Sequence, residues 1–196
     1  FSMAGGGFDL TGSDTKNPTY EEAKEWYEKA LRNNSVLAIS FYAYLYETGS
    51  GNYDVEQNYQ KSLELHKKAA DLGDTDSMFE IADIYFKGRG VKTNYSLALK
   101  YAKKALKTHP NAYFLIADMY YHGKGVERNY QKSYEALSKW FEEEGSPFGN
   151  RYYYEKSKFL LSQMYTKGYG VKKDTKKAAE LLAEIGLDYY NAQDES

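Results

Sequence analysis

Three stretches of this chain are copies of one another, and that repetition constrains the fold more than any other feature. Ile84-Tyr-Phe-Lys-Gly-Arg-Gly-Val-Lys-Thr-Asn-Tyr95, Met119-Tyr-Tyr-His-Gly-Lys-Gly-Val-Glu-Arg-Asn-Tyr130 and Met164-Tyr-Thr-Lys-Gly-Tyr-Gly-Val-Lys-Lys-Asp-Thr175 share one frame. Each reads Tyr-x-x-Gly-x-Gly-Val-x-x-(Asn/Asp). A looser copy runs Tyr46-Glu-Thr-Gly49-Ser-Gly51 and, after an insertion, reaches Asn58-Tyr59. The anchor tyrosines Tyr46, Tyr85, Tyr120 and Tyr165 are 39, 35 and 45 residues apart. A period of about 35 with slack confined to loops is the signature of a solenoid of helix pairs.

Each copy divides into two helices. Helix A precedes the glycines and is expected over Ser35–Glu47, Thr75–Lys87, Asn111–His122 and about Tyr153–Lys167. Helix B follows the Asn or Asp and is expected over Tyr59–Leu72, Tyr95–Thr108, Tyr130–Glu144 and Thr175–Ile185. Asn58, Asn94, Asn129 and Asp174 stand where a side chain can accept from free N–H groups at a helix start. Gly88, Gly123 and Gly168 stand where a helix end needs positive φ. An upstream segment, Tyr20–Leu31, has the pattern of a lone helix B, with Pro18 near its start.

Small and aliphatic residues before the anchor, the Tyr-x-x-Gly-x-Gly-Val frame and a following Lys-Ala pattern together resemble the Sel-one-like repeat (SLR) family. Ala112, Ile116, Ala117, Tyr120, Gly123, Gly125, Val126, Asn129 and Lys132 carry the likeness in one copy. It extends over about Ser35–Gly186. Tyr42, Tyr134 and the Ser138–Trp140 stretch depart from the usual pattern. The resemblance implies an all-α fold, a right-handed α-α superhelix of antiparallel helix pairs related to the tetratricopeptide repeats. It also implies a non-enzymatic scaffold or adaptor that binds proteins or peptides. The expected organisation is a tail or cloning remnant over 1–17, about four repeats preceded by a lone helix over 18–186, and a C-terminal tail over 187–196.

A stack of helix pairs offers a long concave groove lined by its A helices. Counting from the anchor, the groove face falls at six and two residues before it and one and two after. The middle copies place Phe79, Asp83 and Phe86, and Phe114, Asp118, Tyr121 and His122, on that face. The outer copies add Tyr44 from the first and Phe159 and Gln163 from the last. Aromatic rings would supply contact area, and the two aspartates would select a partner with basic or amide groups. On that reading, Asp83→Ala with Asp118→Ala weakens binding without lowering the melting temperature. The competing reading is that the aromatics pack A helices together and the aspartates are solvated edges.

Other chemistries find less in the sequence. There is no cysteine, so disulfide scaffolds, thiolate metal sites and cysteine nucleophiles are excluded. His66, His109 and His122 lack metal-ligand spacing, and no metal or cofactor is expected. The net charge of −2 gives no bulk attraction to nucleic acid. The longest apolar run, near Val36–Tyr46, is too short to insert into a membrane. The paired glycines recur with the repeat and lack the Lys-Ser/Thr of a phosphate loop. Some members of the resembling family are linked to hydrolysis of β-lactam-type substrates. The single Ser-x-x-Lys spacing, Ser13-Asp-Thr-Lys16, lies outside the repeats, while Ser157 and Ser162 fall within a repeat helix. The Gly145–Asn150 insertion reads either as a looser turn or as a loop over the groove. Self-association through the solenoid ends is a further option. Compartment is left open between cytoplasmic, periplasmic and secreted.

Overall fold

The computed structural model describes residues 20–51, 55–143 and 151–194. Its helices are α1 (Tyr20–Arg32), α2 (Val36–Thr48), α3 (Tyr59–Asp71), α4 (Thr75–Lys87), α5 (Tyr95–Ala105), α6 (Ala112–His122), α7 (Tyr130–Glu143), α8 (Arg151–Lys167) and α9 (Thr175–Asp194). No β-strand occurs among the described residues; one isolated bridge, Ser50 to Val55, closes the base of the first insertion. The chain is thus an α-solenoid, with A helices α2, α4, α6 and α8 and B helices α3, α5, α7 and α9. Boundaries fall within two or three residues of expectation except at α9, which continues as helix to Asp194 through the stretch read as tail. The insertion at 145–150 and the expected tail at 1–17 lie outside the described residues.

One small set of hydrogen bonds recurs in the turns after α4, α6 and α8. At the end of α4, Gly88 takes φ 73° and ψ 34°. Its N–H and that of Arg89 both donate to the Ile84 carbonyl, at 2.8 and 3.1 Å. This satisfies a carbonyl the helix end would leave open, in a conformation that only glycine adopts without a Cβ penalty. The chain then turns back until the Asn94 N–H donates to the carbonyl of anchor Tyr85 at 2.9 Å. Asn129 with Tyr120 and Asp174 with Tyr165 repeat that bond at 2.9 Å. The Asn94 side chain accepts from the Leu97 N–H at 3.0 Å and starts α5. Asn58, Asn129 and Asp174 cap α3, α7 and α9 in the same way.

Small residues set how closely the helices of a pair approach. Ala43, Ala82, Ala117 and Ser162, each three residues before its anchor tyrosine, are buried. So are Ser62, Ala98, Ser133 and Ala178 on the facing B helices. The Ser133 hydroxyl donates to the Ala117 carbonyl at 2.8 Å, which satisfies a group buried at the contact. The anchor rings carry lysines on their faces: Lys61 on Tyr46, Lys132 on Tyr120 and Lys177 on Tyr165, at 4.5, 5.4 and 4.7 Å from the centroids. From repeat to repeat the core is continuous from Phe79 on α4 to Ala178 on α9.

Candidate functional site

The A helices α2 and α4 face each other across a hollow. Here a cavity of about 550 Å³ opens between α2 and α4. The segment before α6 and the first turn of α8 close its far side through His109 and Tyr153. Helical spacing explains its lining. Ser40, Tyr44 and Glu47 stand at i, i+4 and i+7 on α2, and Phe79 and Asp83 stand at i and i+4 on α4. Tyr44 is 58% exposed. Phe79 is buried, with its ring stacked on His109 at 4.0 Å and 10°.

Arg89 organises the charge. It is the middle residue of the Gly88-Arg-Gly90 turn, which throws its side chain back along α4. Its Nη2 donates to Asp83 Oδ2 at 2.8 Å and to Glu80 Oε2 at 3.4 Å. Its Nη1 pairs with Glu47 on α2 and so ties two repeats together. Lys87 reaches the same Asp83 oxygen at 2.9 Å. The other oxygen, Asp83 Oδ1, is buried and accepts no hydrogen bond.

Crowding and burial move the nearby titrations. Glu80 is pushed up to about 7, first by burial and then by the charges of Glu47 and Asp83, against the pull of Arg89. Burial likewise raises Glu47. His66, at the back of the cavity, hydrogen-bonds the Ser77 hydroxyl through Nδ1 at 3.1 Å. Burial lowers it to about 4, so its ring is neutral at pH 7. Burial, then the charges of Asp83 and Glu80, raise the Tyr153 phenol and keep it protonated.

These shifts predict opposing pH dependences. Glu80 holds its proton in the folded chain to about 7 against a reference of 4.5, so its contribution to stability is lost as pH rises through that window. His66 acts in the opposite sense, and its contribution is lost as pH falls from 6.5 towards about 4. Glu80→Gln should flatten the decline in melting temperature between about pH 4.5 and about pH 7. The Glu80 side chain is 38% exposed, so water screens the repulsion and the gain is at most about 1 kcal/mol. Thermal melts of both proteins across that range check it; equal slopes refute it.

The structure distributes the sequence-predicted residues unevenly. Tyr44, Phe79 and Asp83 share the cavity. Phe114 and Tyr121 do not present free rings to a partner, which corrects the expectation for them. Both are buried, because Phe114 packs on Tyr153 at 5.6 Å and Tyr121 on Tyr130 at 5.3 Å. Asp83 is corrected too. It is 3% exposed rather than solvated, so its removal would strip Arg89 and Lys87 of their shared partner and lower stability as well as any binding. Asp118 pairs with Lys124 at 2.7 Å and with His122 at 3.0 Å. Phe86 is half-buried, beneath Lys124 at 4.6 Å from its ring centroid. Gln163 is half-buried on α8, and Phe159 is 50% exposed, with no later A helix among the described residues to cover it.

The residues missed were those in the middle of the Gly-x-Gly turns. Arg89 and Lys124 each return to the aspartate six positions earlier. Tyr169, their counterpart, stacks on Tyr130 at 4.2 Å and 12°. An acid-to-base spacing of six across a helix-ending glycine was the available signal. Among the described residues no group of His, Asp and Glu is arranged to hold a metal ion. No described helix is long and apolar enough to cross a membrane.

Paired helices, glycine-ended turns and their recurrence along the chain define an α-solenoid repeat protein. The Sel1 repeat family matches residues 7–35, 36–74, 75–107, 110–138 and 155–184, and the chain belongs to it. A Sel1 repeat protein from Oxalobacter formigenes superposes with a TM-score of 0.71 at 22% identity, over 85% of this chain and 62% of that one. A protective antigen with the SLR fold, from uropathogenic Escherichia coli strains, gives 0.60 at 22% identity, over 86% and 42%. The chain is also similar to chitin synthase regulatory factor 3 of Schizosaccharomyces pombe, 33% identical over 88 residues. That match takes in 44% of this chain and 9% of the yeast protein. Sel1 repeat proteins are in general scaffolds for protein interaction. The hydrolase alternative gains no support: Ser157 and Ser162 are buried in α8, and Ser13–Lys16 lies outside the described residues.

Proposed function

We propose that this chain is a non-enzymatic interaction scaffold that seats an extended segment of a protein partner along the concave face of α2, α4, α6 and α8, favouring segments with basic residues. The acidic, aromatic-rimmed cavity on that face is the observation that carries the reading. An open, preformed hollow with an exposed ring at its edge suits a side chain presented by another chain. Exposed Tyr44 on α2 and exposed Phe159 on α8 offer two further rings for contact.

Selection on the folded chain from a displayed random-peptide library is expected to enrich basic sequences. Tyr44→Ala with Phe159→Ala should weaken the enriched peptides by about tenfold, the effect of losing an aromatic anchor. The melting temperature should hold, since both rings are largely in water. No enrichment, or enriched peptides indifferent to the two substitutions, would sink the reading.

A further inference from the structure

We propose that the cavity between α2 and α4 is a socket for one arginine side chain of the bound segment, its guanidinium seated against Glu80 and Asp83 and its stem laid along Tyr44. This rests on the groove reading and specifies which partner residue the groove selects.

The first argument is unbalanced charge. Glu47, Asp74, Asp76, Glu80 and Asp83 line the cavity, and Arg89 is the lining guanidinium that answers them. Lys87 adds one contact to Asp83. Asp74 is partly engaged, accepting from the Ser77 N–H at 3.0 Å to cap α4. His66 contributes no positive charge at neutral pH. Glu80 is part-protonated at neutral pH in the empty cavity, and an incoming cation draws it to the charged form; a second cation is therefore favoured here, and an anion is repelled.

The second argument is unused acceptor capacity. A carboxylate accepts about four hydrogen bonds. Asp83 Oδ1 is buried, on a side chain only 4% exposed that lines the cavity, and it accepts none. Glu80 has only the 3.4 Å contact from Arg89. Its Oε2 and the Asp83 Oδ2 share a single nitrogen of Arg89, so the two carboxylates stand side by side. A planar fork of donors can span two such groups, whereas an ammonium is a point charge that satisfies them less well. The Tyr44 ring lies at the mouth, where it can cover the stem and stack on the guanidinium. The volume of about 550 Å³ lies within the range of small-ligand pockets.

The test is a titration of the full chain, followed by amide resonances, with the methylamides of N-acetylarginine, Nα-acetyllysine and N-acetylnorleucine. The arginine probe should give saturable shifts centred on α2 and α4. The lysine probe should bind about tenfold more weakly and the norleucine probe not at all. Glu80→Gln, an isosteric change at a partly exposed site, should weaken the arginine probe by roughly fivefold or more. Tyr44→Ala should weaken it by a smaller factor. Unsaturable shifts spread over the surface acids, equal arginine and lysine affinities, or a Glu80→Gln protein that binds as the wild type would each overturn the socket. Library-selected peptides without arginine that bind Glu80→Gln unchanged would overturn it while leaving the groove intact. Saturable arginine binding by a chain that enriches no peptides would uphold the socket and refute the groove.

Discussion

Gly170→Ala is expected to lower stability by about 3 kcal/mol, a loss of roughly 6–12 °C in melting temperature for a chain of this size. Two independent costs add. Gly170 has φ 71°, which an alanine tolerates poorly. Its missing side chain is also a packing requirement, because a Cβ there would lie 2.6 Å from the carbonyl carbon of Tyr130 and 2.9 Å from the nitrogen of Gln131. These are backbone atoms at the start of α7 and cannot swing away. The same position in the earlier turns, Gly90 and Gly125, lies against Tyr59 and Tyr95, the first residues of α3 and α5. The second glycine is therefore where one repeat's turn rests on the previous repeat's B helix. Gly186 supplies the control. It has ordinary φ and open space around it, so Gly186→Ala should be neutral or stabilise by up to about 1 kcal/mol. Urea titrations of the three proteins give the comparison, and a Gly170→Ala protein as stable as wild type would refute the assignment.

Trp140→Ala is expected to cost about 3–5 kcal/mol. Trp140 is wholly buried. It occupies the position held in the first two B helices by Ala69 and Ala105, eleven residues after the capping asparagine. The difference follows from its neighbourhood. α7 and α8 are joined by the long insertion, and the indole fills the junction, edge-on to Phe141 at 4.9 Å and 6.2 Å from Tyr154. Its Nε1 donates to Asn111 Oδ1 at 3.1 Å. Truncation leaves both a void and an unpaired buried amide oxygen. Because solenoid repeats contact mainly their neighbours, the damage should fall on the α8–α9 pair first. Helical signal should then be lost in two steps in urea. A single transition at the wild-type midpoint would contradict this account.

Most of the fold was legible in the sequence because the repeat exposes its own frame. Capping residues, helix-ending glycines and buried small residues are local requirements, and each recurs at fixed distance from an anchor tyrosine. The site was less legible because face and depth are different properties. Helical periodicity puts Phe79, Phe114 and Tyr121 on one side of their A helices, yet it says nothing of what the next helix lays over them. Tyr153, brought in by the first turn of α8, covers both Phe79 and Phe114 at 5.5 and 5.6 Å. Asp83 read as a groove carboxylate open to a partner, because Arg89, which already pairs with it, lies beyond the helix-ending glycine, where helical spacing does not reach. The chain has 22 tyrosines, and the repeat accounts for several of them: Tyr46, Tyr85, Tyr120 and Tyr165 share one position, as do Tyr59, Tyr95 and Tyr130 at the B-helix starts.

The Gly-x-Gly turn separates two jobs that most protein surfaces mix. Its glycines and the carbonyl of the anchor tyrosine fix the path of the chain through backbone geometry alone. The residue between the glycines is left outside that geometry, and it is arginine, lysine and tyrosine in successive repeats. Each repeat therefore carries one interchangeable letter, displayed at the spacing of the A helices. Arg89, Lys124 and Tyr169 are three such letters, and rewriting one changes the contacts made beside its A helix without rewriting the grammar that folds it.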